Sequence, residues 1–258
     1  MLARSIAAGF AIIVTGSSLL AQTLPPQAWA AVAERLERAA LSGSTQELHE
    51  IRAQLIRELP QSPGERPKSF GLYAIAYAGW RMATLPDVPK SEQDDLLDDA
   101  ADRLEAMLKT SPKDAEALAL VGTIYGQQAG RSMMRAIVLG PRSTGALERA
   151  ADVESANPRV LLLQGITALH TPSVFGGSRD KAEHLLRRSL DEFSREPGTK
   201  AWPNWGRFDA HAWLGQVLRR KGDLDDARAE YQKALAVAPE SPWLRTVLLP
   251  ALERASKQ

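Results

Sequence analysis

The chain has 258 residues, of which 44% are hydrophobic and 24% charged, as is ordinary for a globular protein. Its 32 lysines and arginines balance 31 aspartates and glutamates, so overall charge gives no reason to expect nucleic-acid binding. The absence of cysteine excludes disulfides, thiolate metal sites and cysteine nucleophiles. Abundant Ala, Leu, Arg and Glu, with few β-branched runs, predict an all-α fold.

Residues 1–21 have the features of a signal peptide. Arg4 and the amino terminus give a positive start, and an apolar stretch runs from Ile6 to Leu20. This stretch is shorter than the roughly 20 residues that a membrane-spanning helix needs. We therefore expect cleavage after Ala21 and a soluble periplasmic or secreted protein without stable membrane insertion, with an uncleaved anchor as the alternative.

The remaining residues, 22–258, are predicted to form a single α-helical repeat domain. Apolar residues recur three and four positions apart in successive segments, as they do on one face of a helix. Cap and turn residues separate the segments. The pattern predicts five helix pairs and a C-terminal capping helix, at residues 27–59, 70–110, 114–156, 159–194, 208–238 and, for the cap, 242–255.

Local signals indicate where these helices begin and end. Gly43-Ser44 ends the first helix and offers a cap for the second, and residues 60–68, rich in Pro and Gly, form the first linker. A long apolar stretch begins at Asp114. Pro141 is expected to break it, because proline lacks a backbone N–H and cannot continue the hydrogen-bond ladder.

The most regular pair covers residues 208–242. Its first helix places large and small apolar side chains at His211, Leu214, Gly215 and Leu218. Its second helix does the same at Ala227, Tyr231 and Ala234, and it closes at Pro239. This pattern resembles the tetratricopeptide repeat, in which W-x2-L-G-x2-Y is followed by A-x3-F and a closing proline. The resemblance implies a stack of helix pairs that presents a binding surface.

The predicted repeats are irregular. The small residues that mark the second helices, Ala100, Ala146, Ala182 and Ala227, are 46, 36 and 45 positions apart. A regular tetratricopeptide array repeats every 34 residues or so. With its FGG loop and late Leu248-Leu249-Pro250, the chain looks like an exported bacterial tetratricopeptide-repeat-like protein of unassigned activity. The fold we expect is an irregular helix-pair solenoid with a C-terminal capping helix.

The loop before the last pair contains the first partner-binding candidates, Trp202, Trp205 and Arg207. Exposed aromatic rings beside an arginine are typical anchors for peptides or sugars. The alternative is a loop that folds back and staples the pairs at 159–194 and 208–238 together, with its rings buried in the core.

The third pair contains the second set of partner-binding candidates, Tyr125, Arg131 and Arg135. A groove lined by arginines would bind carboxylates, and Met133-Met134 would supply an adaptable apolar floor. The alternative is a solvated helix face whose arginines pair with Glu148 and other acids of the same helix.

Gly176, Gly177 and Ser178 are candidates for an anion-binding loop. Two glycines directly before a helix allow backbone amides to face a phosphate or carboxylate. The alternative is a tight turn in which both glycines take positive φ, Ser178 caps the helix and Phe175 plugs the core.

No motif predicts a reaction centre. The four histidines lack metal-ligand spacing, and no G-x-S-x-G motif is present. We expect a non-enzyme without catalytic residues, metal or cofactor, which binds a protein or peptide, and not nucleic acid, as a scaffold or adaptor. The ligand would dock where the first helices line a concave face. The alternatives are a small-ligand-binding accessory protein, with a pocket near the FGG and WPNW loops, and an enzyme with an unfamiliar site.

Overall fold

The computed structural model describes residues 26–59, 64–196 and 203–257, and every regular element in these ranges is a helix. Successive helices pack in adjacent pairs, which confirms the predicted all-α solenoid. The helices are α1 (Pro26–Ser42), α2 (Thr45–Glu58), α3 (Glu65–Met82), α4 (Lys90–Thr110), α5 (Ala115–Ala129), α6 (Met133–Val153), α7 (Pro158–His170), α8 (Arg179–Arg195), α9 (Arg207–Lys221), α10 (Leu224–Val237) and α11 (Leu249–Ala255).

Side-chain caps explain where several helices begin. The Ser44 hydroxyl accepts a hydrogen bond from the Glu47 amide at 3.2 Å, as the sequence predicts for the start of α2. The Asp114 carboxylate accepts one from the Ala117 amide at 2.8 Å at the start of α5. Each cap satisfies an amide in the first turn that has no partner within its helix.

Close approach within a pair explains the small residues of the 208–242 unit. A Cβ atom placed on Gly215 of α9 would lie 2.5 Å from the ring of Tyr231 on α10. Tyr231 is fully buried, so its ring could not move aside without opening a cavity. Gly215 is therefore required for packing, and the motif corresponds to a real contact between the two helices.

Pro141 does not break a helix, contrary to the sequence prediction. The apolar stretch that starts at Asp114 ends earlier, at Ala129, and Pro141 lies inside α6. Its ring removes the hydrogen bond to the carbonyl of Ile137. Both residues are exposed, and no residue of α6 before Ser143 is buried. Water can therefore solvate that carbonyl, which makes the proline tolerable.

The chain ends in a segment that covers the last pair. A π-helical turn, Trp243–Leu248, leads directly into α11. Leu244, Leu248 and Leu252 are buried, so the segment shields the apolar end of the stack as a capping element does. Among the helices described, none combines the length and the apolar character needed to cross a membrane.

Candidate partner-binding surfaces

The first helices of three different pairs meet in a polar network. Arg81 of α3 donates two hydrogen bonds to the Asp209 carboxylate of α9, at 2.9 and 3.1 Å, and a third to the Ala40 carbonyl of α1 at 3.2 Å. The Tyr77 hydroxyl of α3 donates to Glu37 of α1 at 3.0 Å. We call Glu37, Tyr77, Arg81 and Asp209 the inner network, and it joins α1, α3 and α9 directly.

The inner network combines an ion pair with a carboxyl group that titrates near neutrality. Burial raises the pKa of Glu37 to about 7, with the charge of Asp209 adding to the rise and Arg81 opposing it. For Arg81, burial lowers the pKa, but the Asp209 carboxylate outweighs it and the net shift is upward. Arg81 therefore stays charged and pairs with Asp209, and the carboxyl group of Glu37 beside this ion pair ionises near pH 7.

Trp205 fills the space beside the inner network. Its side chain is fully buried, and its indole Nε1 donates to the Tyr73 hydroxyl at 3.2 Å. The ring centroid lies 4.9 Å from that of Tyr77 and 5.8 Å from that of Trp80. Trp205 is thus a core residue that packs on α3 of the second pair, in the region where a small-ligand pocket or an open groove was expected. Trp202 lies outside the described residues.

Two arginines hold the fourth pair, α7 and α8, to neighbouring elements. The Arg207 guanidinium donates to the Phe193 carbonyl and lies 6.0 Å from the centroid of the Phe193 ring, so this candidate serves a contact inside the chain. Arg159 is fully buried and its Nη1 lies 2.6 Å from Glu196 and 3.7 Å from Glu116. Sequence reasoning missed Arg159, because an arginine that becomes buried looks like any other charged helix position.

Arg131 and Arg135, which the sequence predicts as partner-binding residues, join α4 to the start of α6. Arg131 Nε lies 3.2 Å from Asp94, and Arg135 Nη1 lies 3.6 Å from Asp98. Their partners are therefore on α4, and not among Glu148 and the other acids of α6. Pairing across two helices fixes the orientation of the first turns of α6 relative to α4.

Tyr125 of α5 also lies between α4 and α6. Its ring is buried and its hydroxyl donates to Glu105 of α4, while the Arg142 guanidinium lies 4.2 Å from the ring centroid. The Tyr125 hydrogen bond, aided by Arg142, lowers the pKa of Glu105 although burial acts in the opposite direction. Tyr125 therefore ties α4, α5 and α6 together, which leaves little of it for a partner.

The outward face of α6 exposes four apolar side chains. Met133 is 79% exposed, Met134 76%, Ile137 65% and Val138 62%. They occupy positions i, i+1, i+4 and i+5, which lie on one face of a helix. We call this set the α6 ridge. The sequence predicted the methionines as an apolar floor but missed Ile137 and Val138, because their apolar character suggests a place in the core.

The amides of the FGG loop are used within the chain. The amide of Gly176 donates to the Ser173 carbonyl, that of Gly177 to the Pro172 carbonyl and that of Ser178 to the Ala168 carbonyl, at 3.0, 3.2 and 3.0 Å. Ser178 Oγ caps α8 by accepting from the Lys181 amide at 3.3 Å. The loop is therefore a tight turn, and these three amides do not point at an anion.

Two details of that turn differ from the prediction. Phe175 is 78% exposed and does not plug the core. Of the two glycines in the turn, only Gly176 takes a positive φ, of 86°. Gly177 is needed for another reason, because a Cβ there would lie 1.7 Å from the Thr171 carbonyl oxygen. The turn is closed so tightly by its own backbone that the side chain at its tip is directed outward.

Comparison with known proteins agrees with this architecture. Residues 208–241 match the family model described as tetratricopeptide repeat. A crystal structure of a thermophilic tetratricopeptide-repeat protein of Thermus thermophilus is similar, with 19% identity, a TM-score of 0.59 and coverage of 88% of this chain and 99% of that one. The HusA haemophore from Porphyromonas gingivalis has 24% identity, a TM-score of 0.57 and coverage of 73% and 92%. No curated protein matches the sequence. The repeat match over residues 208–241 and the likeness to a solved tetratricopeptide-repeat protein show that the chain has a tetratricopeptide-repeat-like fold.

Proposed function

We propose that this protein is a scaffold or adaptor that binds a protein or peptide partner through the α6 ridge. The observation that carries the proposal is the row of four apolar side chains, each more than 60% exposed, on one helical face. Exposed apolar surface of this kind marks interaction sites in soluble domains. The helix-pair fold supports the same role, because stacked repeats commonly serve as binding surfaces.

The composition of the ridge favours a partner that presents an apolar helix or strand. Two of its four residues are methionines, whose flexible thioether side chains adapt to different apolar surfaces. Arg131 remains exposed at the edge of the ridge and would orient a partner carboxylate, although it already pairs with Asp94. The inner side of the stack is a poorer candidate, because Trp205 and Asp209 occupy the space beside α3.

We further propose that the partner is met in the periplasm or outside the cell. Residues 1–21 have the charge pattern and apolar length of a signal peptide. Mass spectrometry of the mature protein should find an N-terminus near Gln22. An intact Met1 would contradict export with release.

Replacing Met133 and Ile137 by glutamine tests the ridge. Glutamine is a good helix former, so α6 should persist while the apolar face is lost. Affinity capture from a periplasmic extract should recover a partner with the wild type and at least about tenfold less of it with the variant, since the variant lacks two apolar side chains that a bound partner would bury. The melting temperature should not change, because neither side chain packs in the core.

Val153→Gln is the matched control. Val153 is 39% exposed at the opposite end of the same helix, so this variant removes an exposed apolar side chain without touching the ridge. It should capture the partner as the wild type does. Equal capture by the wild type and by the Met133→Gln/Ile137→Gln variant would refute the ridge as the binding surface.

A further inference from the structure

The Thr171–Ser178 turn holds two apolar side chains out into solvent. Val174 is 81% exposed and Phe175 78%. The backbone beneath them is fixed by the three amide hydrogen bonds of the turn and by the lack of space for any side chain at Gly177. Exposure of this size on a tightly bonded turn means that the tip protrudes. It is not folded over a neighbouring helix.

Positive charge surrounds the base of this turn. Arg179 directly follows it, and its Nη1 donates to the Arg220 carbonyl at the end of α9 at 3.0 Å. Partial burial and the charges of Arg219 and Arg179 lower the pKa of Arg220, so both of these guanidinium groups lie close enough to repel that of Arg220. Like charges are held together here at an energetic cost.

Acidic residues close to the turn do not neutralise this charge. The carboxylates of Asp180 and Glu183 instead contact Lys221 Nζ, at 2.6 and 2.8 Å. In the described part of the chain, no carboxylate lies within the 4.0 Å of an ion pair from Arg179, Arg219 or Arg220. A convex apolar tip is thus combined with arginines that have no anionic partner.

We propose that this turn docks the protein peripherally on an anionic lipid bilayer, with Val174 and Phe175 inserted at the headgroup level and Arg179 and Arg220 against lipid phosphates. Phenylalanine and other apolar side chains of peripheral proteins are buried at the boundary between headgroups and acyl chains, and guanidinium groups pair well with phosphate oxygens. Lipids deform around a protruding tip, whereas a peptide is usually bound in a groove. The proposal goes beyond the partner-binding role and involves none of the residues of the α6 ridge.

Vesicle flotation tests the proposal with the protein as recovered after export. One set of vesicles is phosphatidylcholine alone; in the other, about one lipid in three is phosphatidylglycerol, to give an anionic surface. The wild type should float with the anionic vesicles only, and less so as salt is raised. Phe175→Ser should weaken binding by about tenfold or more, and Arg179→Gln by about fivefold.

Matched variants separate docking from general effects. Arg195→Gln removes an exposed charge from the other end of α8, about 24 Å away at 1.5 Å per residue, and should bind like the wild type. Phe175→Leu keeps an apolar tip and should retain most of the binding. Both Phe175 variants should melt with the wild type, because the ring does not pack in the core.

Three results would overturn the proposal. The first is a wild type that stays off the anionic vesicles, and the second is flotation that Phe175→Ser leaves unchanged. The third is equal flotation with both vesicle types, which would exclude the role of the arginines. If the wild type does not bind vesicles, but affinity capture recovers a protein with the wild type and not with Phe175→Ser, the tip contacts a protein and not a lipid. Failure of the vesicle test would not count against the proposed role of the α6 ridge, because the ridge is tested separately by protein capture with its own variant.

Discussion

Burial shifts the pKa of Glu37 into the neutral range, where its effect on stability can be tested. Its carboxyl accepts a hydrogen bond from Tyr77 in the inner network, and burial raises its pKa from 4.5 to about 7. The folded protein therefore holds the Glu37 proton more tightly than the unfolded chain does. The stability that this provides is complete below about pH 4.5 and is lost as the pH rises through about 7.

Glu37→Gln should remove this dependence, because glutamine keeps the shape and the acceptor oxygen but never ionises. We expect the variant to match the wild type near pH 5 and to exceed its free energy of unfolding by roughly 2 kcal/mol at pH 8. Chemical denaturation at a series of pH values between 5 and 8 measures the difference.

Glu34→Gln on the exposed side of α1 is the control for losing one negative charge from the same helix. It should not reproduce the widening gap between pH 5 and pH 8. A constant difference between wild type and Glu37→Gln across that range would mean that Glu37 stays ionised throughout.

Among the elements, the turn between α7 and α8 is tightly closed by its own backbone. A methyl group on Gly177 would overlap the Thr171 carbonyl oxygen, at 1.7 Å, and the backbone would have to open to admit it. Gly177→Ala should therefore lower the free energy of unfolding by about 2 kcal/mol or more, which corresponds to a fall of roughly 4–8 °C in melting temperature for a chain of this size.

Gly145→Ala provides the comparison within a helix. A Cβ there meets nothing within 4 Å, and α6 gains a better helix former, so the variant should be neutral or more stable by up to about 1 kcal/mol. If both alanine variants melted alike, the closed geometry of the turn would be wrong.

At this scale the sequence predicts most of what is observed. Helix starts follow from cap residues such as Ser44, and the small residue Gly215 marks a true helix contact, because these rules depend on local geometry. Pro141 and Phe175 were placed wrongly for a common reason. Whether a carbonyl or a ring is solvated depends on which neighbours pack beside it, and periodicity in one segment carries no such information.

Across the whole molecule, Trp205 connects the end of the stack to its beginning. The fully buried ring contacts Tyr73, Tyr77 and Trp80, which are more than a hundred positions earlier in the chain. Trp205→Ala should cost about 3–5 kcal/mol. Hydrogen exchange should become faster in α3 as well as in α9, because both lose a packing partner.

Phe175→Ala is the matched aromatic control and should change stability by no more than about 0.5 kcal/mol, since that ring is exposed. Faster exchange confined to α8 and α9 in the Trp205 variant would contradict the contact between the two ends of the stack.

The inner network is the part of the molecule that the sequence could not predict. Arg81 and Asp209 are separated by 128 positions, and each looks like an ordinary surface charge within its own helix. Their pairing depends on how far the stack curves, which follows from the summed angles between all the intervening helices. Small irregularities in repeat length change that sum, so no local pattern reveals it.

The contact between α3 and α9 also determines the order in which the protein can fold. In an open repeat array each unit needs only its neighbours, and folding can spread from any point along the chain. Here the second pair stays incomplete until Trp205 and Asp209 have been synthesised. Contacts over such a sequence distance slow folding, because a long loop must close before they form. If the chain is exported as we propose, slow formation of these contacts would keep the precursor loosely structured for longer before export.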